Sequence, residues 1–147
     1  MKKMISVAVM AAATLACSAA SARNDMLKFP IAGAMAANDA QARLGGSVQF
    51  FFAGQPTPEV ASKIITDKTS QRTNGFGKSA EKACNWVFLS AMLQLQKRAQ
   101  DIGADAVINI VSNFNNVEFA SATEFECVDG ALMAGVALKG DFVRLAK

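Results

Sequence analysis

The chain has 147 residues, with 15 lysines and arginines against 12 acids, and neither histidine nor tyrosine. Without histidine there is no Ser-His-Asp or Cys-His catalysis, no histidine metal site and no histidine pH switch. Three cysteines leave room for one disulfide and one odd thiol, so the compartment becomes the first question.

The opening MKKMISVAVMAAATLACSAASARND is built like a secretory leader. Lys2 and Lys3 form a basic start, Met4 to Ala16 carries no charge, and Ala20-Ser21-Ala22 gives a small-x-small cleavage pattern before Arg23. The uncharged run is shorter than the ~20 residues a membrane span needs. The expectation is a signal peptide over 1–22, cleavage near Ala22/Arg23, and a soluble periplasmic or secreted protein. The stretch ending at Cys17 resembles a lipobox, with Thr14 where that motif prefers leucine, so a lipid anchor at Cys17 is the alternative. Losing 1–22 leaves one domain of 125 residues, 23–147, and removes two lysines but no acid, for a net charge of +1. Lys97-Arg98 is the only adjacent basic pair there, and no basic patch suggests nucleic acid.

Residues 23–46 are mixed, with a short helical stretch near Asn38 to Leu44, Asn38 as its cap and Gly45 as its stop. SVQFFFAG reads as a strand with Val48, Phe50 and Phe52 on one face. Pro58 is placed to open a short helix over PEVASKII. The polar TDKTSQRTNGFGKS suits an edge strand running into a turn.

The next segment is the clearest. Ser79 can cap a helix and Glu81 suits its first turn. Cys84, Phe88, Ala91, Leu95, Ala99 and Ile102 form one apolar stripe at steps of three and four, and Gly103 ends it. Trp86, Leu89 and Leu93 lie on a second flank. That flank is either a widening of the core-facing stripe or a partner or self-association face.

ADAVINIVS then reads as a strand, NFNN as a turn and SATEFECV as an alternating strand with Phe125 and Cys127 on one face. Asp129-Gly130 is a hairpin signal, GALMAGVALKG is apolar on both faces as an interior strand would be, and DFVRL closes the chain. The fold expected is α+β: one long helix over about 80–102 on an antiparallel sheet, with strands near 47–53, 106–113, 121–128 and 131–139, and short N-terminal helical segments. Cys84 points off the stripe that covers the sheet, and Cys127 points to the sheet face of Phe125. With Cys17 removed, the two form a disulfide in the core, or else stay as two buried free thiols.

From Gly75 onward the chain resembles the YbjQ-type small domain. LQKRAQDIGADAVINI carries its helix end in a Gly-Ala-Asp-Ala-Val motif, and GALMAGVALKG its small-residue strand. The exported relative of that fold is the RcsF type, an outer-membrane stress sensor whose disulfides tie the helix region to a late strand. Cys84 and Cys127 match one such bridge, and the second has no counterpart here. The resemblance also implies ring-forming self-association and a possible metal role. The whole chain is similar to small secreted proteobacterial proteins labelled "excinuclease ATPase subunit", on KSAEKACNWVFLSAMLQLQKRAQ, TEFECVDGALMAGVALKGDFVRLAK and the leader.

No G-x-x-x-x-G-K-[ST] loop is present, so neither nucleotide hydrolysis nor excision repair is expected. Two cysteines 43 positions apart do not make a closed metal site, and neither stands in a C-x-x-C motif, so no cofactor or metal is expected. Glu124 and Glu126 alternate as a wetted strand face would. The functional expectation is a non-catalytic envelope protein, a binding or self-assembly module with itself or an envelope protein as partner. The alternatives are a carboxylate enzyme using Asp105, Glu124 or Asp129, and an RcsF-like sensor.

Overall fold

The computed structural model describes residues 24–147. The leader, its cleavage site and Cys17 lie outside the described residues. The elements in chain order are β1 (Asn24–Pro30), α1 (Ile31–Ala36), α2 (Ala40–Leu44), β2 (Gln49–Phe52), β3 (Val60–Asn74), α3 (Ala80–Ile102), β4 (Ala106–Ser112), β5 (Glu124–Gly130) and β6 (Met133–Leu145), with a 3-10 turn at Phe114–Asn116. The fold is α+β, a curled and mostly antiparallel sheet with one long helix.

β6 is the centre of the sheet. It pairs along its whole length with β3 on one side, and on the other with β5 near its start and β4 towards its end. That position explains why its sequence is apolar on both faces. Ala134, Val136, Leu138 and Phe142 join the main core, while Ala137 and Val143 are buried outside it. β1 extends the sheet beyond β5, and β2 lies beside β4.

Three expectations about strand extent and pairing change. PEVASKII is not a helix; its last residues open β3, and the ladder to β6 outweighs the local signal of Pro58. The sheet is not wholly antiparallel, because β2 runs parallel to β4. The hairpin turns at Ala131 and Leu132, with Asp129 and Gly130 still in β5, so β5 and β6 lie further along than 121–128 and 131–139. β6 also absorbs DFVRL.

α3 spans the expected residues. The Ser79 side chain accepts a hydrogen bond from Lys82 N at 3.2 Å, and Gly103 closes the helix at φ 74, a left-handed conformation that costs glycine little. The stripe from Cys84 to Ala99 is buried, and Phe88 packs on Phe125 and Phe52 with ring centroids 4.5 and 6.0 Å apart. Asp39, not Asn38, precedes α2, and its side chain makes no cap.

β4 carries a bulge that the alternation in the sequence conceals. Asn109 sits at φ 51, and the register slips between Ile108↔Asp141 and Val111↔Lys139. The slip places Val107 and Ile110 together in the core rather than Ile108 and Ile110. Gly140 sits opposite, where an added Cβ would meet Val107 Cγ1 at 2.7 Å.

Candidate functional site

Cys84 and Cys127 meet in the core. Their sulfurs are 2.09 Å apart, their Cα atoms 5.9 Å apart, and neither side chain reaches solvent. The pair ties the second turn of α3 to the middle of β5. A buried bridge of this kind is a structural clamp, without the exposed thiol that redox exchange needs.

The second flank of α3 does not form one exposed face. Leu89 is only 2% exposed and belongs to the core, and Leu93 is half-buried against it. Trp86 alone faces out, at 40% exposure, with the Arg43 guanidinium 5.5 Å from its ring centroid. The reason is the α1–α2 pair, which packs on this flank and brings Ile31, Ala34, Ala40 and Leu44 into the same core. Gln96 of α3 donates to the Leu44 carbonyl there.

The carboxylates considered for catalysis are scattered. Glu124 and Asp129 lie five residues apart on β5, so they are ~16 Å apart and on opposite faces. Asp105 sits at the far end of β6, bound by Leu145 N at 2.9 Å, whereas Asp129 pairs with Ala134 at its start. Among the described residues no group of three or more His, Cys, Asp or Glu side chains is arranged to hold a metal.

Side chains do converge elsewhere, on the sheet face away from α3. Asn113, Asn115 and Asn116 form a turn laid over Ala137 and the middle of β3. Asn115 and Asn116 take left-handed φ values of 52 and 60°, which asparagine tolerates better than most residues. Asn113 N donates to the Ala137 carbonyl at 2.9 Å, and Ser112 pairs with Phe119 to close the turn. Lys68 Nζ donates to Asn116 Oδ1 at 2.7 Å and fixes the turn to β3.

Two depressions flank this contact and share Lys68, Asn113 and Asn116. The first, of about 290 Å³, is completed by Thr66, Asp67, Glu118 and Lys139. The second, of about 330 Å³, is completed by Thr69, Ser70, Arg72, Phe114, Asn115 and Ala137. Together they make one open polar groove. In the first, Lys139 pairs with Glu118 at 2.7 Å, while Asp67 pairs at 3.0 Å with Arg98 of α3, outside the depression.

Beyond the first depression, Asp141 accepts from Thr66 Oγ1 at 2.6 Å and Asn109 Nδ2 at 3.1 Å, with Lys63 Nζ at 3.4 Å. Burial opposes ionisation of this carboxyl. The hydrogen bonds and the lysine charge outweigh burial and hold its pKa below the ordinary value.

The sequence already marked NFNN as a turn and 66–79 as a polar edge. Their meeting was not readable, because the two segments lie more than 40 positions apart and are brought side by side by their long-range pairing with β6. No protein-family model, curated protein or solved structure matches the chain.

Proposed function

We propose that the chain is a non-catalytic exported binding module of the bacterial envelope, an RcsF-like small domain whose ligand site is the groove beneath the Asn113–Asn116 turn. One contrast carries this reading: amide, hydroxyl and ammonium groups from β3, β6 and the turn converge on one groove, while Asp105, Glu124 and Asp129 do not converge, and the two acids that line the groove, Asp67 and Glu118, are each held in an ion pair. A site rich in hydrogen-bond donors whose two acids are tied up in ion pairs is suited to holding a polar ligand and poorly suited to moving protons. The buried Cys84–Cys127 bridge supports export, since such bonds persist in oxidising compartments. Among the described residues no helix is long and apolar enough to cross a membrane.

A thermal-shift screen with envelope sugars and peptides tests the site. Ligands should stabilise the native chain and lose that effect with the Lys68→Ala/Asn116→Ala double variant. Ligands that stabilise both proteins equally, or that are turned over, would refute this reading.

A second reading, self-association, has support at a different place from the α3 flank. Phe76 is 72% and Leu132 62% exposed, in turns joined by the Gly75 N to Leu132 O hydrogen bond of 2.8 Å. A second copy docked there would be seen as a doubled mass in sedimentation, abolished by Phe76→Ser/Leu132→Ser.

A further inference from the structure

We infer that the Lys68–Arg72 end of the groove is an anion site, taking the carboxylate or phosphate of a small, hydroxyl-rich ligand. This rests on the groove reading and adds the ligand's chemistry to it.

The first observation is charge. The depression that Ser70, Arg72 and Phe114 complete is lined by two cations, Lys68 and Arg72, and by no acid. Both acids of the groove line the other depression, and each is already ion-paired, Glu118 with Lys139 in that depression and Asp67 with Arg98 of α3. Lys68 donates to a neutral amide oxygen, which satisfies a hydrogen bond without cancelling its charge. Arg72 forms no ion pair or hydrogen bond with any of the described residues. The groove therefore has one end whose acids and Lys139 are ion-paired and another where Arg72 is unpaired, with Lys68, bound only to a neutral amide, between them.

The second observation is placement. Lys68, Ser70 and Arg72 are alternate residues of β3, so they share one face at steps of ~6.6 Å. The register sets them opposite Lys139, Ala137 and Gly135 of β6. Ala137 and Gly135 have almost no side chain, so no bulky group of β6 stands between the two cations. A planar guanidinium offers two parallel donors to a carboxylate or phosphate, with the Ser70 hydroxyl beside it.

The third observation is the wall. The half-buried Phe114 ring and the Asn113 and Asn115 amides line the same depression. An apolar ring face beside amides suits the mixed surface of a sugar ring. A space of about 330 Å³ is at the small end of ligand sites, the size for one or two rings. The chemistry is thus a sugar acid or a sugar phosphate.

The test is a titration of ¹⁵N-labelled protein with three probes: glucuronate, glucose 6-phosphate and glucose. Either anion should shift the amides of Ser70, Arg72 and 113–116, and the stronger of the two identifies carboxylate or phosphate as the group held. Glucose should bind at least about tenfold more weakly, because it lacks the charge-assisted hydrogen bonds. Arg72→Gln should weaken anion binding about tenfold, while Lys139→Gln, which removes an already paired cation, should change it less than about twofold. Raising salt from about 20 to about 200 mM should weaken anion binding and leave glucose unaffected.

Unchanged amide shifts elsewhere in Arg72→Gln confirm that the variant is folded. If glucose binds as well as the anions and Arg72→Gln has no effect, the anion site is wrong while the groove remains a binding site. If none of the three probes moves the groove amides, the anion inference falls, and the thermal-shift comparison decides the groove reading separately.

Discussion

Replacing both Cys84 and Cys127 with alanine should remove about 4 kcal/mol of stability. The bridge closes a loop of 43 positions, and the chain-entropy relation assigns such a loop about 4 kcal/mol. Domains of this size hold only ~5–15 kcal/mol in total, so the loss is a large fraction. Alanine is the informative replacement, because serine would bury two hydroxyls in a site with no exposure. The assay is equilibrium unfolding in urea without reductant. The midpoint should fall, and the slope should rise, because an uncrosslinked unfolded chain exposes more surface. Thiol labelling of the denatured native chain should find neither Cys84 nor Cys127 free. A loss under ~1 kcal/mol with an unchanged slope, or labelling of both cysteines, would show that no such clamp exists.

Leu89→Ala should cost ~2–5 kcal/mol as a core truncation, whereas Trp86→Ala should cost under ~1 kcal/mol and leave the sedimentation mass unchanged. The reverse order would restore the α3 flank as an interface. Gly140→Ala should cost ~1–3 kcal/mol in thermal or urea unfolding, because its Cβ would meet Val107 Cγ1 at 2.7 Å. Asp141→Asn should destabilise the protein at neutral pH. Because the native pKa is lowered, ionised Asp141 stabilises the fold above the unfolded value near ~3.9, and that contribution disappears as pH falls through the native value. Unfolding curves for Asp141→Asn and the native chain should therefore converge on acidification.

Local signals were readable wherever the chain's own neighbours decide the structure. Ser79, the stripe from Cys84 to Ile102 and Gly103 delimit α3 by capping and periodicity alone, and the structure places that helix at the same residues. β6 was readable as interior from its double-sided apolarity. What long-range pairing decides was not readable. β1 is a strand because Asn24–Pro30 lies antiparallel to β5, a hundred positions away, although its own composition is mixed. VASKII extends because β6 offers a ladder, although Pro58 and its neighbours suit a helix start. Leu89 looked spare on a helical wheel because nothing local announces that α1 and α2 fold back over it. The groove follows the same rule: Lys68, Arg72 and the asparagines are each legible as polar edge or turn, and only the β3–β6–β4 register brings them together.

The most direct test of the binding-module account locates the site without assuming the ligand. ¹⁵N-labelled protein is titrated with the small-molecule fraction of a bacterial envelope extract, and the shifted amides are mapped. Shifts should be confined to 66–72, 113–118 and 137–139, and should be lost in Lys68→Ala/Asn116→Ala. Shifts centred instead on Asp105, Glu124 or Asp129, with the groove amides unmoved, would contradict it.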